Sequence, residues 1–244
     1  MRPEEARERI RALGFSETDG DTLFAHFDDA ERRGKRGHGY ARIPWLETLP
    51  DLEPSARAER TQATDCYRAW DGRGALGYLT LAAIVEDELA DPPRHARVVA
   101  ASRCFPTGML GHYVRKLADG GLVALLTATS PARLAHPDGG PPLAGTNPLA
   151  VGIPSSDGGP IVVDVSPARA TWGDVIAGVA LEEDVVPFGG DQAHKAFALA
   201  LGTQLLVESL VEGYGAVLVV ARPEADPVPA LRALAGDVRL PGDR

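Results

Sequence analysis

The stretch RHARVVAASRCFPTGMLGHYVRKLADGGLVALLTAT, residues 94–129, decides the fold. Its two ends, 94–102 and 122–129, are short apolar runs typical of strands. The residues between them include apolar side chains at helical spacing: Met109, Leu110, Tyr113, Val114 and Leu117. A strand, a helix and a strand this close together predict a parallel strand pair with a right-handed crossover. Ligands of such sheets bind at the carboxyl ends of strands, which here means segment 102–108.

The segments on both sides continue the alternation of helices and strands. Helices are predicted at 3–13 and 18–33, and residues 47–64 look like a connecting segment. Later elements are strands at 149–154, 159–166 and 215–222, and a long helix from 193 to 213. This interleaving predicts an α/β fold.

Gly72, Gly74 and Gly77 spell G-x-G-x-x-G, the fingerprint of Rossmann dinucleotide-binding domains. That fingerprint requires a buried strand directly before the glycines and an acidic residue at the end of a strand about 20 positions later. The preceding residues 63–70 are a poor buried strand, because they include two charged residues, and the acidic residues that follow lie in a predicted helix. We therefore predict that these glycines form a turn into that helix and bind no phosphate.

The composition narrows the range of partners. The formal net charge is -9, which argues against a general nucleic-acid binder. The charged N-terminus and the lack of a long apolar run predict neither a signal peptide nor a membrane span. Cys66 and Cys104 are the two cysteines, so a disulfide framework is not expected, and we predict a cytoplasmic protein. No spacing of His, Cys and acidic residues resembles a metal site.

Several motifs, taken in order, resemble the type 2 malate/L-lactate dehydrogenase family, which includes ureidoglycolate dehydrogenases and Δ1-piperideine-2-carboxylate reductases. They are RGHGYARIP, PTGMLGHY, LAGTNPLAV, PIVVDVSPARATWGDV, VPFGGDQAHKAFALALGTQLL and the final RLPGDR. The resemblance implies a mixed sheet that binds NADPH or NADH without a Rossmann fold. It also implies three parts: a helical N-terminal region at 1–64, an α/β domain at 65–222, and a tail at 223–244 that returns to the N-terminal region.

The resemblance also implies roles for individual residues. Arg42 and Thr146 match substrate-binding positions, and the terminal P-G-D-R matches a segment that contacts the cofactor. The matching cofactor positions are Thr107, Gly108, Asp164, Val165, Ser166 and Lys195. Two departures stand out: Gly37 replaces the family serine, and Pro106 replaces a histidine that is catalytic in several members. An alignment shifted by two residues would put Cys104 at that second position instead.

The residue chemistry independently favours His38 as the acid/base group. An imidazole titrates near neutral pH, and the glycines on either side allow a ligand to approach closely. Arg42, four residues later, would bind a carboxylate in a bidentate pair, and it would share a helical face with His38 if residues 39–42 begin a helix. Asp174 is a candidate partner that orients His38. The alternatives are a surface histidine, a capping Asp174, and, for Thr107 and Gly108, a plain helix cap in place of an anion site.

Together with the residue chemistry, the resemblance implies an NAD(P)H-dependent reductase of a small 2-oxo or cyclic 2-imino acid that acts as a homodimer on a carboxylate substrate. The basic cluster that ends the second helix is either a solvated surface or a site for an anionic ligand; its members are Arg32, Arg33, Lys35, Arg36 and Arg42. The alternative function is a repurposed scaffold that has lost redox chemistry: an isomerase, lyase or cyclase, or a binding subunit.

Overall fold

The computed structural model describes residues 1–242, so Asp243 and Arg244 of the terminal P-G-D-R segment lie outside the described residues. Its helices are α1 (Pro3–Ala12), α2 (Glu17–Arg32), α3 (Arg42–Leu46), α4 (Gly77–Ala90), α5 (Leu110–Asp119), α6 (Trp172–Ile176), α7 (Ala193–Glu208) and α8 (Val228–Ala235). Its strands are β1 (Glu59–Ala63), β2 (Tyr67–Asp71), β3 (Ala96–Ser102), β4 (Val123–Ala128), β5 (Leu149–Ile153), β6 (Ile161–Val165) and β7 (Ala216–Ala221). The predicted α/β interleaving is confirmed. In the described part of the chain, none of the helices has the length and apolarity to cross a membrane.

The seven strands form one mixed sheet in the order β1-β2-β3-β7-β4-β5-β6. Strands β2 and β3 pair in parallel, and every other neighbouring pair is antiparallel. Consequently β2, β3, β4 and β6 run in one direction and end at the same edge of the sheet. That edge is where the loops after these strands meet.

The prediction that β3 and β4 are a hydrogen-bonded parallel pair is wrong in one respect. The two strands do run in the same direction, but β7 lies between them and is antiparallel to both. Leu218 of β7 pairs with Val99 on one side and with Leu126 on the other. A strand with apolar residues on both faces, as in β7, suits the middle of a sheet. The hydrogen-bonded parallel pair is β2 and β3, which α4 connects.

Strand β2 forms although its sequence looked unsuitable for a buried strand. Arg68 is 2% exposed, and its guanidinium forms ion pairs with Asp87, Glu88 and Asp91, so its charge is compensated inside the protein. The glycine turn that follows leads into α4, as predicted.

The backbone of the loop after β3 packs directly against Gly72 and Gly77. A Cβ atom on Gly72 would overlap the carbonyl oxygen of Arg103, and one on Gly77 would lie 2.6 Å from that of Pro106. Gly72 N–H also donates to Ser102 O at 2.9 Å. The glycines therefore serve a close contact between two protein loops.

The N-terminal helices form as their sequence predicts. Ser16 caps α2 by accepting a hydrogen bond from the Asp19 N–H at 3.2 Å, and Gly14, with φ of 89°, follows α1. Apolar residues of α1 and α2, such as Ile10 and Phe27, pack with Tyr78 of α4 in one buried cluster. The segment at 47–64 is more than a connection, because it supplies the exposed edge strand β1.

The tail packs along the opposite edge strand of the sheet. Val162 N–H of β6 donates to Pro241 O at 3.2 Å, and Arg232 of α8 forms an ion pair with Asp157. The division of the chain into three parts stays a prediction.

Candidate active site

A cavity of about 270 Å³ lies at the edge of the sheet where β3, β4 and β6 end. The loops after these strands line it together with the segment around α3 and the N-terminus of α6. It contains most of the predicted site residues: His38, Arg42, Thr107, Gly108, Thr146, Asp164, Ser166 and Asp174. The carboxyl ends of strands are thus the location of the cavity, as the sequence predicted.

His38 is held in a short 3-10 turn and is half-buried. Burial lowers the pKa of its imidazole to about 4, the charges of Arg42 and Lys35 lower it as well, and Asp174 opposes them. Its Nδ1 is sealed from solvent and has no hydrogen-bond partner among the described residues. His38 is therefore neutral near pH 7, and Nε2 is the ring nitrogen left to serve a ligand.

Arg42 begins α3 and is 7% exposed. Its Nε donates to the Tyr78 hydroxyl at 3.3 Å, and its guanidinium carbon lies 4.1 Å from the centroid of the Trp45 ring. No carboxylate among the described residues forms an ion pair with it. The structure thus brings Arg42 and His38 to one cavity, with the Arg42 charge uncompensated and held against an aromatic face.

Asp174 has a structural task beside any catalytic one. Its Oδ2 accepts hydrogen bonds from the Thr171 N–H and hydroxyl, both at 2.8 Å, and the Asp174 N–H returns one to the Thr171 hydroxyl. This is a capping box at the start of α6. The structure shows no hydrogen bond from Asp174 to His38 within the described chain, so the capping alternative accounts for its contacts. An orienting role for Asp174 stays a prediction, exerted here through charge alone.

Gly37 and Gly173 pack against each other so closely that neither position has room for a side chain. A Cβ atom on Gly37 would lie 2.6 Å from the backbone nitrogen of Asp174, and one on Gly173 would overlap the Gly37 carbonyl oxygen. The 3-10 turn that contains His38 is therefore seated directly on α6. This contact explains why glycine stands where the resemblance implies serine.

Thr107 and Gly108 precede α5 and do not begin it, contrary to expectation. Gly108 has φ of 70°, and a Cβ atom there would overlap Nε2 of His26. The first donors of the helix are already used: Met109 N–H donates to His26 Nε2, and Gly111 N–H donates to Asp164 Oδ2, both at 3.0 Å. The plain helix cap does not describe this turn, while ligand binding by Thr107 and Gly108, which line the cavity, stays a prediction.

The two alignments of the missing histidine differ clearly in the structure. Pro106 lines the cavity, whereas Cys104 is fully buried and does not. Burial raises the pKa of the Cys104 thiol to about 12. Neither residue provides a proton donor for a ligand. Among the histidines of the motifs RGHGYARIP and PTGMLGHY, His38 is the one that lines the cavity.

The Asp164–Ser166 segment joins the cavity to the loop that contains Thr146. The Ser166 hydroxyl donates to Thr146 O at 2.8 Å, and Thr146 N–H donates to the Ser130 hydroxyl at 3.2 Å. Burial raises the pKa of Asp164. Val165 lines a second cavity, and Lys195 is exposed on α7 and lines neither.

The second cavity has a volume of about 510 Å³ and is rich in basic side chains. Lys35 and Asp164 line both cavities, so the two meet there. Its basic residues are Arg32, Arg33, Lys35, Arg115 and Arg239. Three residues of the basic cluster thus face the second cavity and Arg42 faces the first, although Arg32 and Arg33 also pair with Asp28 and Asp29.

Sequence reasoning missed two residues of the first cavity, Arg133 and Trp172. The Arg133 guanidinium carbon lies 3.4 Å from the centroid of the Trp172 ring. Its position in a loop rich in glycine and proline provided no periodic signal that would have singled it out.

The sequence is similar to those of curated dehydrogenases and reductases. The chain is 29% identical over 170 residues to the (2R)-3-sulfolactate dehydrogenase (NADP(+)) of Chromohalobacter salexigens, a match that covers 68% of this chain and 51% of that protein. It is 28% identical over 231 residues to the Delta(1)-pyrroline-2-carboxylate/Delta(1)-piperideine-2-carboxylate reductase of Pseudomonas putida, covering 82% and 67% respectively. The chain thus matches about half the length of the first relative.

Solved structures show the same fold. The delta1-piperideine-2-carboxylate reductase from Pseudomonas syringae superposes with a TM-score of 0.82 at 24% identity, covering 99% of this chain and 89% of that one. The sequence profile described as malate/L-lactate dehydrogenase matches residues 4–185, well over half of the chain. The protein therefore belongs to the malate/L-lactate dehydrogenase family.

Proposed function

We propose that the chain is an NAD(P)H-dependent reductase of a small 2-oxo or cyclic 2-imino acid. The observation that carries the proposal is the pair formed by Arg42 and His38, a buried unpaired cation and a neutral imidazole in one cavity. An uncompensated buried cation is costly unless an anion neutralises it, and a substrate carboxylate would do so.

The residues present fit a phosphorylated dinucleotide. The basic second cavity would hold its phosphates, and Lys35 and Asp164 mark the boundary with the substrate cavity. When bound, reduced nicotinamide supplies a hydride. The chain itself binds and orients the substrate, and it controls the proton through His38. We include NADPH and NADH equally in the proposal.

The state of His38 favours imino acids over 2-oxo acids. A ketone that accepts hydride needs a proton donor, and His38 is neutral at the pH of the cell because its pKa is depressed. A protonated imine already has its proton. In the reverse direction, a neutral imidazole is ready to accept a proton.

Purified protein tests the proposal in two steps. NADH or NADPH at 100 times its dissociation constant should stabilise the fold by about 2.7 kcal/mol, which a melting curve detects. Consumption of the cofactor is then followed with a 2-oxo acid and with a cyclic imino acid. Absence of both the stabilisation and the turnover would reject the reductase and support the repurposed, non-redox scaffold.

We also propose that two copies form a homodimer through the outer face of α7. Small and apolar side chains are exposed on this face, namely Ala198, Leu199, Leu205 and Leu206, and Leu210 is exposed just beyond the end of the helix. An apolar stripe of this kind on a surface helix marks an interaction site. Light scattering should give twice the chain mass, and Leu205→Asp with Leu206→Asp should give a folded monomer; a wild-type monomer would reject the dimer.

A cytoplasmic location is part of the proposal. Its support is the presence of two cysteines that are both free thiols. Cell fractionation with an antibody against the protein tests it, and recovery outside the cytoplasm would contradict it.

A further inference from the structure

Arg133 is a second cation in the substrate cavity, and it comes from a different part of the fold than Arg42. It lies in the loop between β4 and β5, where its N–H donates to Ala144 O at 2.8 Å. The next residue, Leu134, is fully buried in a cluster with Ala144. The backbone of Arg133 is therefore anchored, and the ring of Trp172 fixes the direction of its side chain.

The charge of Arg133 has no carboxylate partner among the described residues. The two acidic residues that line this cavity are engaged elsewhere: Asp174 caps α6, and Asp164 accepts the Gly111 N–H. Other arginines of the described chain, such as Arg68 and Arg97, form ion pairs. A guanidinium without a carboxylate partner in a half-buried cavity is unfavourable unless a bound anionic ligand neutralises its charge.

The two cavities divide the basic residues between a cofactor and a substrate. Arg133 lines only the cavity that contains His38 and Arg42, whereas the phosphate-binding side chains proposed above line the other. Arg42 and Arg133 each lie against a tryptophan face, an arrangement that leaves the edge of the guanidinium fork free for an oxyanion. One carboxylate satisfies Arg42, so Arg133 needs a second anionic group.

We propose that Arg133 determines substrate specificity by binding a carboxylate or sulfonate at the end of the substrate remote from the C2 carboxylate. This inference rests on the proposed reductase function and adds to it the charge of the substrate. The preferred substrate is then a dianionic 2-oxo or cyclic 2-imino acid, and a monoanionic analogue of the same size binds less well.

The kinetic test compares matched substrates in wild type, Arg133→Met, Arg133→Lys and the control Arg94→Met, whose side chain is exposed and lines neither cavity. The pairs are 2-oxoglutarate with 2-oxopentanoate, 3-sulfopyruvate with 2-oxobutanoate, and Δ1-piperideine-2-carboxylate with its 6-carboxylate derivative. Loss of a charged hydrogen-bonded pair predicts that Arg133→Met lowers kcat/KM for the dianionic members roughly 10- to 100-fold, mainly through KM. In Arg133→Met, kcat/KM for the monoanionic substrates and the KM of the cofactor should not change. Arg133→Lys should restore part of the preference for dianionic substrates, and Arg94→Met should behave as wild type.

A binding arm keeps this inference separate from the reductase proposal. Calorimetry with succinate and butanoate, which differ by one carboxylate, measures the preference without turnover. If wild type reduces nothing but binds succinate more tightly, and Arg133→Met abolishes the difference, the reductase proposal fails and the role of Arg133 stands. Two results would overturn the inference. In one, wild type shows no preference for dianions; in the other, Arg133→Met weakens the binding of both members of each pair, or of the cofactor, to the same extent.

Discussion

Gly37→Ser, which restores the residue implied by the family resemblance, should destabilise this protein. The new Cβ atom would lie 2.6 Å from the backbone nitrogen of Asp174, closer than such atoms approach in folded proteins. Because the neighbour is backbone at the start of α6, it cannot rotate away, and the 3-10 turn or α6 must shift. Overpacking of this kind costs about 1–3 kcal/mol.

Thermal denaturation followed by circular dichroism measures the effect. For a chain of this length, that cost lowers Tm by roughly 2–12 °C. The matched control is Gly20→Ala in α2, where the added Cβ would lie 3.6 Å from Ile10 in ordinary contact; it should hold or raise Tm, because alanine favours a helix by about 0.5–1 kcal/mol over glycine.

A second variant separates backbone crowding from side-chain crowding. The double variant Gly37→Ser, Asp174→Ala removes the Asp174 carboxylate but leaves the backbone nitrogen of residue 174 beside the new Cβ atom. It should therefore be less stable than the single variant Asp174→Ala. If Gly37→Ser melts at or above the wild-type temperature, the close packing of Gly37 on α6 is refuted.

Three further predictions concern the candidate site. Arg42→Ala should raise the substrate KM by roughly 10- to 100-fold without changing cofactor binding, since it removes a charged hydrogen-bond donor; an unchanged KM in steady-state assays, with Arg94→Ala as control, would contradict its role. His38→Ala should lower oxidation of a 2-hydroxy acid, the direction in which the neutral imidazole accepts the proton, by about 10²–10⁴-fold and reduction of a cyclic imino acid clearly less, and equal losses in parallel assays would reject the proton role. The pKa of His38 is near 4 when folded and about 6.5 when unfolded, so the unfolded state binds more protons between these values and stability falls as pH drops through that window. Burial also lowers the pKa of His26 and His112, so part of the fall in stability persists without His38. Urea titrations should therefore show that the free energy of unfolding falls less steeply with decreasing pH in His38→Gln than in wild type. Identical slopes would refute the lowered pKa of His38.

The parts of the fold that local patterns determine could be predicted, and the parts that distant segments determine could not. Residues 94–129 show strand, helix and strand with the correct directions, but nothing within them indicates that β7, about 90 residues later, inserts between β3 and β4. The charge on Arg68 makes 63–70 look unsuitable for a buried strand. Acidic residues of α4 and of its C-cap compensate that charge, but this is a tertiary effect that the local sequence does not show.

The candidate site shows the same division. His38 and Arg42 both line the cavity, but the shared helical face considered from their spacing is wrong, because His38 lies in a 3-10 turn and α3 begins only at Arg42. The capping box of Thr171 and Asp174 is a T-x-x-D pattern at a helix start, a local signal that favours the capping alternative for Asp174. Arg133 reaches the cavity through the packing of a long loop, and Lys195 lines neither cavity, two outcomes that sequence spacing does not encode.

The late position of β7 in the chain affects biosynthesis. Until residues 216–221 leave the ribosome, β1-β2-β3 and β4-β5-β6 are two separate three-stranded ribbons, each with an unpaired apolar edge at β3 or β4. Such edges pair readily with other strands, so the nascent chain is prone to aggregation from the emergence of β3 until that of β7. A stop codon before residue 216 would therefore produce inclusion bodies, whereas one directly after β7 leaves the sheet able to close.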